Sequence, residues 1–74
     1  MSFGERIRAE RKKSNLTALT LAEKCDVARS YITLIEVGRR LPGKAIIPKL
    51  ALALNVKTNV VVNWYLEDLR EKLQ

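Results

Sequence analysis

Between Leu16 and Pro42 the chain carries two short helical segments joined by a tight turn of about three residues, Asp26-Val27-Ala28. The first segment runs roughly from Ala18 to Cys25 and places Leu21, Ala22 and Cys25 on one face at i, i+1, i+4 spacing. The second, about Arg29 to Val37, has Tyr31, Ile32 and Ile35 as its inner candidates. Gly38 ends it as a C′ glycine, the position where a left-handed backbone closes a helix. So short a connection fixes how the second helix leaves the first. In a chain of 74 residues the rest of the fold must be built around that pair.

The flanking sequence is helical too. Ser2-Phe3-Gly4-Glu5 has the form of a capping box, with Ser2 as N-cap and Glu5 three residues on. A helix from about Phe3 to Lys13 follows, with Phe3 and Ile7 inward and Arg/Lys residues on its other faces. Asn15 serves as an αL stop, and Thr17 caps the helix after it. Pro48 is tolerated only in a first turn, so a fourth helix starts near Ala45 to Pro48 and runs to Leu54, with Leu50, Ala53 and Leu54 inward. Thr58 is the expected cap of a fifth helix over about Asn59 to Lys72, with a Val61/Val62–Tyr65/Leu66–Leu69–Leu73 stripe. Val60-Val61-Val62 favours a strand on propensity, but the stripe keeps a helical period through Leu73. The expectation is an all-α fold of five helices, one domain over residues 1–74, with no repeats. The Arg70-Glu71-Lys72-Leu73-Gln74 end reads as a frayed helix terminus, so the chain is expected to be whole.

Composition removes most function classes. There is no His, which takes away the usual general base and the commonest metal ligand. One Cys can form neither an internal disulfide nor a zinc cluster, and Cys25 is read as a buried hydrophobe. No nucleophile–base pair, metal-ligand set or Gly-rich phosphate loop is present, so no enzyme, cofactor or small-molecule ligand is expected. A hydrophobic content of 47% is too high for a disordered basic tail. The uncharged stretch from Thr58 to Leu66 is far short of the roughly 20 residues a membrane span needs. What remains is a cytoplasmic module of net charge +6, whose default partner is nucleic acid. The first 57 residues hold 12 basic and 5 acidic groups, the last 17 hold 2 and 3, so the basic face lies in the first part.

Two helices on a tight turn form a helix-turn-helix, whose second helix can enter the major groove. The residues themselves carry a more specific likeness. Leu21-Ala22, Val27, Arg29-Ser30-Tyr31-Ile32, Ile35-Glu36, Gly38 and Pro42 stand at fixed spacing. This pattern resembles the Xre-like helix-turn-helix family, which includes phage repressors, Cro and the small controller proteins of restriction–modification systems. The likeness covers residues 3 to about 66 and implies a lambda-repressor-like domain that binds double-stranded DNA.

The resemblance also implies roles. Arg29, Ser30 and Thr33 would face base edges, with Leu34 nearby. Arg can fork onto guanine O6 and N7, Ser and Thr can bond several edges, and the Thr33 methyl or Leu34 could meet a thymine methyl. Arg39, Arg40 and Lys44 would contact phosphates, as would Thr17 and the backbone N–H of Ala18 at the start of the second helix. Arg11 and Glu36 match positions that form an inward ion pair in relatives. The chain departs from the family pattern at several positions. Ala18 replaces a usual Gln, Asp26 a usual Gly, Leu19 and Leu34 usual polar residues, and Ala28 the usual Ser/Thr cap of the second helix. Asp26 is the candidate substitute oxygen for that cap.

The fifth helix holds more apolar residues than one face needs: Val60, Val61, Val62, Trp64, Tyr65, Leu66, Leu69 and Leu73. In the relatives it resembles, this region forms the dimer. Residues 58–74 are therefore the expected dimerisation segment, with Val62, Tyr65, Leu66 and Leu69 in the contact. The expected function is a homodimeric, sequence-specific transcriptional regulator, a repressor or autoregulator. It would read a palindromic operator with half-sites about 10–11 bp apart. The alternative is a protein-interaction or antitoxin-like module on the same fold, with weak or non-specific DNA binding; Ala18 and Leu34 lean slightly toward it.

Overall fold

Four left-handed residues divide the chain into helices. Asn15 (φ 57°), Asp26 (φ 57°), Gly38 (φ 80°) and Asn55 (φ 59°) each follow a helix and reverse its backbone. At each the next N–H reaches back to a carbonyl of the last turn: Leu16 to Arg11, Val27 to Ala22, Arg39 to Leu34 and Val56 to Ala51, at 2.9–3.0 Å. This is the Schellman closure, used four times in succession. Asn and Asp tolerate the αL region because their short polar side chains offset its strain locally.

The computed structural model describes residues 1–73 and contains α1 (Phe3–Lys13), α2 (Ala18–Lys24), α3 (Arg29–Glu36), α4 (Ile46–Leu54) and α5 (Thr58–Lys72). Among the described residues there is no strand. Gln74, the last residue of the expected dimerisation segment, lies outside the described residues. The capping box of α1 is formed: Ser2 Oγ accepts the Glu5 N–H at 3.2 Å, and Glu5 Oε1 accepts the Ser2 N–H at 2.9 Å. That backbone bond holds the Glu5 carboxyl below its ordinary value. Thr17 caps α2 through its bond from the Thr20 N–H at 3.0 Å. Pro48 falls in the first turn of α4.

The core is Phe3 and Ile7 of α1, Leu21 and Ala22 of α2 with Cys25 just past it, Ile32 and Ile35 of α3, Leu50, Ala51 and Leu54 of α4, and Val61 of α5. Burial pushes the Cys25 thiol up, as for an inert core residue. Gly4 sits where α1 crosses the end of α3. A Cβ there would land against Ile35 O and within 2.7 Å of Glu36 O, so only glycine permits this approach.

Several expectations need correction. The inner small residue of α4 is Ala51; Ala53 is half-buried. Lys57, not Thr58, is the N-cap of α5, and no side chain caps that helix. No side chain caps α3 at Ala28 either, so Asp26 does not supply the substitute oxygen. The largest difference lies in α5. Its buried line is Val61 and Asp68, with Trp64 and Tyr65 half-buried between them. Leu66, Leu69 and Leu73 point away from the core. Asp68 tolerates its buried place beside Lys72 Nζ at 3.3 Å.

Candidate nucleic-acid interface

The turn between α2 and α3 is held at both ends. Cys25 and Val27 donate to Leu21 and Ala22 carbonyls, and the Tyr31 N–H donates to Ala28 O at 3.0 Å. Ile32 and Ile35 seat α3 on the core, which leaves its opposite face outward. On that face stand Arg29, Ser30, Thr33 and Leu34, all exposed. Thr33 Oγ1 donates to Arg29 O at 3.2 Å, a back-bond that ties the hydroxyl to its own helix. Leu34 puts an apolar side chain on an otherwise polar surface, with 38% exposure.

The loop after α3 carries Arg39, Arg40 and Lys44, all exposed. It is not loose at its start, because Arg39 N–H bonds back to Leu34 O at 2.9 Å. Pro42 is buried. Tyr31 makes two further contacts with the loop. Its phenol oxygen accepts the Gly43 N–H at 2.9 Å, and its ring lies 4.5 Å from the Arg40 guanidinium. Tyr31, expected among the inner residues, is half-buried on the flank of α3, where it makes these polar contacts. At the start of α2, Thr17 is exposed and Ala18 half-buried. The Thr17 oxygen is already engaged by the Thr20 N–H and lies 2.9 Å from Thr20 Oγ1, so its capping role comes first.

Behind this face Arg11 and Glu36 form a forked pair. Arg11 Nε donates to Glu36 Oε2 at 2.7 Å and Nη2 to Oε1 at 3.0 Å, while Nη1 donates to Leu16 O at 2.9 Å. The Glu36 carboxylate pushes the Arg11 guanidinium further above its ordinary value. The pair thus ties α1 to the last turn of α3, and Arg11 also holds the α1–α2 connection at Leu16.

A second tie, with no local sequence signal, joins α1 to α5. Arg6 Nη2 donates to Glu67 Oε2 at 2.8 Å, and its guanidinium stands 6.0 Å from the Trp64 ring. Tyr65 meets Phe3 edge-on at 5.7 Å, so its ring is already committed to the chain's own core. Val62 is half-buried, while Leu66 and Leu69 are exposed. With Leu73 they make an apolar line on the outer side of α5 at i, i+4, i+7, i+11 spacing. Among the described residues no group of three or more acidic, Cys or His side chains could hold a metal, and no helix is long and apolar enough to cross a membrane.

Fold and face together define a helix-turn-helix domain of the five-helix, lambda-repressor-like class. The family model described as Helix-turn-helix matches residues 7–61, and the chain belongs to that Xre-like family. It is 39% identical over 62 residues to the immunity repressor protein of Bacillus phage phi105, covering 84% of this chain and 43% of that protein. The chain therefore spans less than half of that relative's length. Among solved structures it is similar to the restriction–modification controller protein C.AhdI from Aeromonas hydrophila, with 36% identity, a TM-score of 0.75 and coverage of 80% of this chain and 89% of that one. It is also similar to the P22 c2 repressor protein in complex with a synthetic operator, with 26% identity, a TM-score of 0.80 and coverage of 86% and 97%.

Proposed function

We propose that the chain is a DNA-binding transcriptional repressor or autoregulator. It acts as a cytoplasmic homodimer on a palindromic operator, as a binding module rather than an enzyme. The observation that carries this reading is the outward face of α3, where Arg29, Ser30 and Thr33 stand exposed on a helix seated by Ile32 and Ile35. A helix of this size fits the major groove, and these side chains are among those that read base edges. Arg39, Arg40 and Lys44 flank that face and supply phosphate contacts, with the backbone at Thr17 and Ala18 adding a further one. The phi105 immunity repressor and the operator-bound P22 c2 repressor support the repressor role.

Two copies read more sequence than one, because only three or four side chains of one copy reach base edges. The outer line Val62–Leu66–Leu69–Leu73 is the surface we assign to the twin, with Tyr65 at its edge. Leu66 is 49% exposed and Leu69 37%, apolar area that a partner would remove from water. Leu66→Asp tests this. It should sediment as a monomer and bind operator weakly and without cooperativity, while its helix content stays that of wild type. A Leu66→Asp variant that still sediments as a dimer rules out this interface.

A further inference from the structure

Tyr31 stands apart from the other residues of α3. It lies between the outward face and the core, and it makes both side-chain contacts to the loop noted above. The phenol accepts the Gly43 N–H at 2.9 Å, and the ring carries the Arg40 guanidinium at 4.5 Å. Arg40 is otherwise an exposed side chain on a loop with no regular structure, and among the described residues it makes no ion pair. A free Arg side chain loses rotamer entropy when it is fixed on a ligand; a guanidinium already held over a ring has lost part of it.

We propose that Tyr31 is a positioning residue for DNA binding: its ring holds the Arg40 guanidinium ready beside α3 for a backbone phosphate. The inference rests on the reading of Arg40 as a phosphate contact. The geometry gives the two parts of Tyr31 separate tasks. Through Gly43 the hydroxyl ties down the far end of the loop, with Pro42 buried next to it. The ring presents its negative face to the guanidinium, whose N–H groups make no hydrogen bond or ion pair among the described residues and so remain available to phosphate oxygens. Because a phosphate contact carries no sequence information, Tyr31 should affect operator and random DNA alike, unlike the base-facing residues beside it.

The test is a double-mutant cycle on duplex binding at fixed salt, with operator and random duplexes, using Tyr31→Leu, Tyr31→Phe and Arg40→Ala. Tyr31→Leu should weaken binding to both duplexes by roughly two- to five-fold. In the Arg40→Ala background the same change should have only the small residual effect of losing the Gly43 hydrogen bond. Tyr31→Phe keeps the ring and should restore most of the loss. In the free protein, the Arg40 side-chain protons should show a ring-current shift in wild type and in Tyr31→Phe, which also covers the case in which Tyr31→Leu does not fold. Equal losses from Tyr31→Leu with and without Arg40, or unshifted Arg40 protons in the wild type, overturn the inference and leave the DNA-binding reading standing. Wild-type protein that binds neither duplex overturns both.

Discussion

Arg11 and Glu36, 25 positions apart in sequence, meet in a forked ion pair at 2.7 and 3.0 Å, largely shielded from water. Their side chains are only 13% and 7% exposed. A buried pair is costly to break from one side, because the remaining charge is left without its partner. Glu36→Ala should therefore destabilise the fold by about 3 kcal/mol. In a chain this small that lowers the melting temperature by roughly 10–20 °C. Replacing both partners with apolar residues, Arg11→Met with Glu36→Leu, should cost less than Glu36→Ala alone. Thermal unfolding followed by circular dichroism measures both; a double variant less stable than the single one contradicts the reading.

Gly4 fixes how closely α1 approaches the end of α3. The atoms that a Cβ would meet, Ile35 O and Glu36 O, belong to the backbone and cannot swing aside. Gly4→Ala should cost about 3 kcal/mol, at the upper end for overpacking. The melting temperature should fall by about 10 °C or more. An unchanged melting temperature would mean that the two helices do not approach as described. Because the displaced contact is the last turn of α3, the variant should also lose operator affinity at temperatures where it remains folded.

Arg29 and Arg39 are both exposed cations within one turn of the ends of α3, yet they are assigned different roles. Arg29→Ala should cost about 1–3 kcal/mol on operator and relax preference at one half-site position, while binding to random duplex changes little. Arg39→Ala should weaken operator and random duplex alike and reduce the slope of log affinity against log salt by roughly one unit. Fluorescence anisotropy across a salt series separates the two. Equal losses on both duplexes for Arg29→Ala would remove it from the base-reading set.

Several helix ends were legible in the sequence because their signals are local, though the starts of α3 and α5, which no side chain caps, were not. Asn15 and Gly38 announce left-handed turns, Ser2 and Glu5 a capping box, and Pro48 a first turn, each within three or four residues of its effect. The outward face of α3 was legible for a similar reason: once Ile32 and Ile35 are inward, helical geometry sends Ser30, Thr33 and Leu34 the other way. The orientation of α5 was not. Val61–Tyr65–Asp68 and Val62–Leu66–Leu69 are both lines at helical spacing, and hydrophobicity favours the second for burial. Long-range contacts decide otherwise. Arg6 holds Glu67 across 61 positions and stands near Trp64, while Tyr65 packs on Phe3. These turn Asp68 inward and the leucines out, which strengthens the case for a twin on that side. The polar contacts of Tyr31 were hidden for the same reason, since Gly43 and Arg40 reach it only after the loop has folded back.

The most direct test of a dimeric, groove-reading regulator is a binding-site selection from random duplexes with the purified chain at one fixed salt concentration. An enriched palindrome, its half-sites about 10–11 bp apart, is the predicted result. It would report sequence reading, two-fold symmetry and the distance between two α3 helices in a single measurement. A pool that shows no enrichment, or an enriched site without two-fold symmetry, would contradict it.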